Sequence, residues 1–221
     1  MLAGQIGGMS EEQRAAMVAS QLRPAGVNDP RLITALLRVP REPFVPQALA
    51  GVAYVDRPIE LGGGRFLNTT ESTGLLLNAL RAEPGERALV VGAATGWSAA
   101  LLAEMGLHVT ALESDEALAA QARAAVGAAG VDVVTGPLAA GHAAGAPYQL
   151  ILIDGAVGVI PPALPDQLAP GGRLAAALVE GGVTRHVLGR RTKAGAFGVQ
   201  AFTDNSAAPL PGFERPRVFT F

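Results

Sequence analysis

Apolar positions in the second half of the chain come in short unbroken runs, separated by stretches with helical period. Ala88–Val91, Leu150–Ile153 and Leu174–Val179 are continuously apolar, as strands buried on both faces must be. The pattern predicts strands near 87–91, 108–113, 131–135, 149–153 and 173–179, with helices near 97–105, 115–129 and 161–168. Right-handed crossovers turn such an order into a doubly wound, mainly parallel α/β sheet. After about Arg185 the character changes, and HVLGRR, FGVQAFT and RVFTF read as antiparallel strands closing one edge.

The first seventy residues have a different pattern. Residues 1–8 are Gly-rich and expected to fray. Ser10-Glu11-Glu12-Gln13 fits a capping box, opening a helix through about Leu22 that Arg23-Pro24 ends. Asn28-Asp29-Pro30 then caps a second helix, with Leu32, Ile33, Leu36 and Leu37 on one face. Pro40-Arg41-Glu42-Pro43-Phe44-Val45-Pro46 holds three prolines and predicts a stiff, extended connector. Gly62-Gly63-Gly64 falls in a long structureless loop, 54–70, before a helix near 71–82. Long loops of this kind are often functional. The expected organisation is a single domain over 1–221, with an arm and loop in 1–70 and the α/β core in 71–221.

Composition narrows the function classes. Of 221 residues 49% are hydrophobic and 16% charged, ample for a buried core. The net charge of −2 lacks the basic footprint of a nucleic-acid partner. Arg185, Arg190, Arg191 and Lys193 form the one local cluster of basic residues, read as a solvated strand end. There is no cysteine, which excludes disulfides, thiol nucleophiles and thiolate metal ligands. His108, His142 and His186 lack metal-ligand spacing, so no metal is expected. The first residues lack a basic n-region and a long apolar segment, and no apolar stretch reaches the ~20 residues of a membrane helix. A soluble, cytoplasmic protein is expected, with no membrane partner; its oligomeric state is left open.

Chemistry concentrates in residues 88–113. An apolar run enters the small-residue turn Gly92-Ala93-Ala94-Thr95-Gly96, helical sequence follows from Trp97, and a second apolar run ends in Glu113, 21 residues after Gly92. Small residues let a ligand approach the backbone, the helix N-terminus favours electron-rich groups, and a carboxylate at that distance accepts from ribose hydroxyls. An ordinary βαβ unit whose glycines only make the turn is the alternative. Asp154 follows the fourth apolar strand and is expected on the same rim as Glu113, or else as a helix N-cap. Trp97 either covers the ligand or packs in the core. Arg57 reads as a solvated loop charge.

Several segments then resemble one known family. Pro40-Arg41-Glu42-Pro43-Phe44-Val45-Pro46 and Ala53-Tyr54-Val55-Asp56-Arg57-Pro58 are similar to the VPRxxFVP and AYxDxP segments of the protein-L-isoaspartate (D-aspartate) O-methyltransferases. Ile160-Pro161-Pro162 through Gly171-Gly172-Arg173-Leu174 is similar to the family's IPxxLxxQLxxGGRL, and the resemblance covers about residues 10–180. It implies a class I methyltransferase fold, Rossmann-like, with a seven-stranded sheet. It also implies S-adenosylmethionine as cofactor and isoaspartyl residues of damaged peptides or proteins as substrate. From the residues and the resemblance together, the expected cofactor set is Gly92, Ala93, Gly96, Trp97, Glu113, Leu138 and Asp154, the last a carboxylate where the family usually has small residues. The expected catalytic pair is Asn68 and Thr69.

The departures bear on activity. Where the family reads GQTISQP, this chain reads Gly64-Arg65-Phe66-Leu67-Asn68-Thr69-Thr70, so the family's serine falls on Asn68 and its threonine on Phe66. Val90 replaces an acidic strand residue, Ala94 a turn glycine, and Gly136-Pro137-Leu138 the family's GDG. A lost charge-assisted hydrogen bond costs ~1.5–3 kcal/mol. Methyl transfer to a carboxylate ionised at pH 7 requires no general base, only alignment and desolvation. Asn68 and Thr69 can therefore replace the serine in orienting an acceptor, while Thr69 or Thr70 also suits a helix N-cap. The leading expectation is S-adenosylmethionine-dependent methylation of L-isoaspartyl carboxylates. The alternatives are a catalytically impaired homologue that serves as a binding or regulatory module, or a methyltransferase for a different acceptor.

Overall fold

A computed structural model describes residues 2–214. Its centre is a seven-stranded sheet made of β3 (Arg87–Val91), β4 (His108–Glu113), β5 (Asp132–Thr135), β6 (Tyr148–Val157), β7 (Leu168–Glu180), β8 (Val183–Arg191) and β9 (Phe197–Asp204), in the order β5-β4-β3-β6-β7-β8-β9. The β3–β7 neighbours pair in parallel, and β8 and β9 join antiparallel. RVFTF lies outside the described residues.

The continuous apolar runs are explained by burial on both faces. In β3, Ala88 and Val90 enter one hydrophobic core while Leu89 and Val91 enter the other, the period-two alternation of a strand with two covered faces. Residues from α2 (Pro30–Arg38), α3 (Thr70–Leu80) and α4 (Trp97–Glu104) fill the first core. Leu164 of α6 (Ala163–Asp166), with Leu210 and Phe213, contributes to the second. α5 (Glu116–Val126) links β4 to β5, capped by Asp115, which accepts from the amides of Ala117 and Leu118. Each fully buried Leu contributes ~1.5–3 kcal/mol.

Asp29 caps α2, accepting from the Arg31 and Leu32 amides with Pro30 in the first turn. Leu32, Ile33 and Leu36 are buried, whereas Leu37 is 40% exposed, because it lies at the margin of the apolar stripe. The N-terminal helix α1 begins at Leu2 rather than Ser10 and runs to Met17, followed by a π-helical turn over Val18–Leu22. Ser10 is no cap; its hydroxyl donates to Glu42. The three-proline segment is not fully extended: a 3₁₀ turn forms at Glu42–Phe44 and Pro46 leads into a second at Gln47–Val52, since the fixed φ of proline suits the first turn of a helix as well as a strand.

The expected structureless loop holds a β-hairpin, β1 (Ile59–Gly62) with β2 (Arg65–Leu67). Gly62, Gly63 and Gly64 all take positive φ, the backbone that the tight connection requires. Two strands this short leave almost no period-two signal in sequence.

Candidate functional site at the carboxyl edge of the sheet

β3 leaves the sheet through Gly92, and its neighbours are β4 on one side and β6 on the other. The chain order reverses at this point, which is where open α/β sheets carry their ligands. Val91 pairs with Leu112 and with Ile153, so Glu113 and Asp154, each one residue further on, share the rim as expected. Asp154 lies inside β6 and caps no helix.

The turn is built on left-handed backbone. Gly92 and Gly96 have φ of +78° and +99°. A Cβ on Gly96 would lie 3.1 Å from Val126 Cγ1, so glycine there also lets α4 pack closely. The Ala93 amide donates to the Leu112 carbonyl at 3.0 Å. Ala94 takes φ +51°, a left-handed conformation that costs a non-glycine residue ~1–2 kcal/mol. Its amide donates to Glu113 Oε2 at 2.7 Å, which helps hold the turn.

Glu113 is fully buried, and its oxygens are already engaged. Arg65 of β2 forks onto it, Nη1 donating to Oε1 and Nη2 to Oε2, the latter at 2.9 Å. The amides of Ser114 and Asp115 also donate to Oε1, at 2.7 and 3.0 Å. Burial is the largest influence on the Glu113 carboxyl and pushes its pKa up, but the Arg65 hydrogen bond, the Asp115 amide, the Arg65 charge and the Ala94 amide together bring it below the ordinary value. Arg65, like Glu113, is buried.

On the other side of the switch point, Asn68 donates to Asp154 Oδ1 at 2.8 Å and accepts the Ala208 amide at 2.7 Å. Thr73 donates to the same Asp154 oxygen at 3.4 Å. Thr69 caps α3, accepting the Ser72 amide at 3.0 Å. Arg41 donates to the Asn68 carbonyl, and its guanidinium stacks over Trp97, 4.2 Å from the ring centroid. Burial lowers the Arg41 pKa to about 10, which leaves it charged at pH 7. Trp97 is buried beneath it. Leu138 opens a 3₁₀ turn and packs in the second core. Val90, which replaces the family's acidic strand residue, lies inside β3 and points into the first core.

The turn joins Glu113, and Asn68 joins Asp154, at the rim, whereas Leu138 packs in the second core; two further residues at the rim carried no signal in the sequence. Arg65 sat in the predicted loop with no local signal beyond its charge. Leu210 comes from the segment after β9, which runs beside β6: the Ala156 amide donates to Ala208 O at 2.7 Å and the Leu210 amide to Ala156 O at 2.9 Å. Leu210 lies against the glycines of both rim strands. A Cβ built on Gly92 would fall 2.7 Å from Leu210 Cδ2, and one on Gly155 2.4 Å from Leu210 Cγ.

A nucleoside seated here would need the Glu113 oxygens and the space over Gly92. The backbone frame suits such a ligand. The side chains packed into it do not, because Arg65 takes the carboxylate and Leu210 takes the space. A cavity of about 430 Å³ lies elsewhere, between Arg38, Pro43 and Phe44 on one side and Ala100, Glu104 and Val126 on the other.

Comparison with known proteins agrees with this architecture. The family model for protein-L-isoaspartate (D-aspartate) O-methyltransferase matches residues 12–203. The chain is 44% identical over 165 residues to a protein-L-isoaspartate O-methyltransferase of Methylorubrum extorquens, covering 74% of this chain and 72% of the relative. A second relative, protein-L-isoaspartate O-methyltransferase 2 of Marinobacter nauticus, is 36% identical and covers 91% of this chain and 94% of its own length. Among solved structures, a Plasmodium falciparum chain described as a protein-L-isoaspartate O-methyltransferase in complex with S-adenosyl-L-homocysteine superposes with a TM-score of 0.72. At 18% identity it covers 90% of this chain and 96% of its own, a likeness of fold. With two thirds and more of both sequence relatives covered, the chain belongs to the protein-L-isoaspartate (D-aspartate) O-methyltransferase family.

Proposed function

We propose that this chain catalyses S-adenosylmethionine-dependent methyl transfer to the carboxylate of L-isoaspartyl residues in damaged proteins. The observation that carries the reading is family membership across residues 12–203; the turn glycines at positive φ and Glu113 on the sheet rim support it. In this proposal Gly92, Ala93, Gly96, Trp97, Glu113, Leu138 and Asp154 line the cofactor side, and Asn68 and Thr69 orient the acceptor. The arm and loop of 1–70 and the core of 71–221 act as one domain. No helix of the described residues is long and apolar enough to cross a membrane, and a cytoplasmic location belongs to the proposal.

The test is calorimetric titration with S-adenosylmethionine and S-adenosylhomocysteine, followed by an assay of methyl incorporation into an isoaspartyl peptide. Incorporation supports the proposal. Binding without incorporation points to a different acceptor, and absence of binding at millimolar ligand refutes it. The packing of Arg65 against Glu113 and of Leu210 over Gly92 favours a second reading, a catalytically impaired homologue that works as a binding or regulatory module.

A further inference from the structure

The cofactor crevice is closed by the chain's own side chains, and the closure has a defined construction. Arg65 presents two parallel N–H donors to the two oxygens of Glu113. A ribose diol would present two O–H donors to the same oxygens, so the guanidinium takes the place of the diol. A bidentate, charge-assisted pair of this kind is the strongest arrangement available to an arginine and a carboxylate. Leu210 fills the adjoining volume, where Gly92 and Gly155 leave the backbone bare.

The two occupants arrive on different segments, yet they are tied together. Arg65 belongs to the β1–β2 hairpin, and Asn68 follows three residues later. Asn68 accepts the Ala208 amide and donates to Asp154, and Ala208 stands two residues before Leu210. One asparagine thus clasps the hairpin exit to the C-terminal segment and fastens both to the rim.

We propose that Arg65 and Leu210 form an internal plug of the nucleoside crevice, clasped by Asn68, and that an S-adenosyl ligand binds only by displacing both. The inference rests on the proposed S-adenosyl cofactor, but it concerns access to the crevice and not turnover. The affinity of the intact chain is lowered by the fraction of molecules in which the plug is withdrawn. Arg65→Gln removes the charge while leaving an amide that can still donate to Glu113, and Leu210→Ala empties the space over Gly92.

Calorimetry with S-adenosylhomocysteine on the wild type, both single variants and the double variant provides the test, with folding checked by circular dichroism. The expected result is a Kd lowered at least about tenfold in the double variant. A change of less than twofold overturns the plug, as does a failure of both wild type and folded double variant to bind. Hydrogen exchange on the unaltered chain gives a second readout. Ligand addition should speed exchange in residues 59–67 and 205–213, and binding that leaves both segments unchanged or slower overturns the proposal. Ligand binding by the wild type without methyl incorporation into the isoaspartyl peptide overturns the proposed acceptor and leaves the plug standing.

Discussion

Replacing Arg65 by Met tests whether the Arg65–Glu113 pair holds the site together. Both side chains are buried, at 4% and 0% exposure, so the substitution leaves a carboxylate in the interior without its counter-charge. Breaking a buried pair by removing one partner costs ~3–5 kcal/mol. Glu113 keeps the amides of Ala94, Ser114 and Asp115, which places the expected loss at the lower end, about 3 kcal/mol at pH 7. For a chain of this length that corresponds to roughly 6–12 °C in Tm.

The pH dependence sharpens the test. In the folded wild type the Glu113 pKa lies below its ordinary value. Its contribution to stability is therefore present above the unfolded pKa of 4.5 and is lost as pH falls through the folded pKa. In Arg65→Met, burial loses its main opposition and the pKa rises, so the buried carboxyl takes up a proton more readily. The difference from wild type should shrink as pH is lowered from 7 towards 4.5. Urea unfolding followed by Trp97 fluorescence and by circular dichroism at both pH values measures it. A loss below 1 kcal/mol at pH 7, or an equal loss at both values, refutes the argument.

His186 is fully buried against Ser72 and Phe202, and burial lowers its pKa to about 4. The unfolded chain then takes up this proton first on acidification, so stability present above pH 6.5 falls by roughly 3 kcal/mol as pH drops to 4; His186→Gln should flatten that part of the unfolding profile. Asn68→Ala strands the Ala208 amide and removes a donor to Asp154, with an expected cost of about 2–4 kcal/mol and faster exchange of the Ala208 amide by NMR. Thr69→Ala removes the cap of α3 and should cost ~1 kcal/mol in urea unfolding. Gly96→Ala forces a Cβ at φ +99° towards Val126 and should cost at least about 1–2 kcal/mol, read as a lowered Tm.

The parallel sheet was legible in the chain, because strands covered on both faces must be apolar at every position. The runs at 87–91 and 108–113 coincide with β3 and β4. Asp29-Pro30 marked the start of α2 because capping is a local hydrogen bond. The rim positions of Glu113 and Asp154 followed from strand order, and the N-terminal and Gly-Gly segments carried the family resemblance. Each of these signals acts over a few residues, or repeats with the period of one element.

Tertiary structure alone decided what occupies the rim. Arg65 reaches Glu113 across 48 positions of sequence, and no local pattern distinguishes that arginine from a solvated one such as Arg57, which is exposed. Leu210 sits between prolines in a segment without period, and it covers Gly92 because that segment lies along β6. Whether a charge is paired or a glycine is covered depends on which distant atoms share the buried volume. The sequence therefore determined the rim at the carboxyl edge of the sheet, where the cofactor is proposed to bind, and packing between segments far apart in the chain determined that this rim is filled.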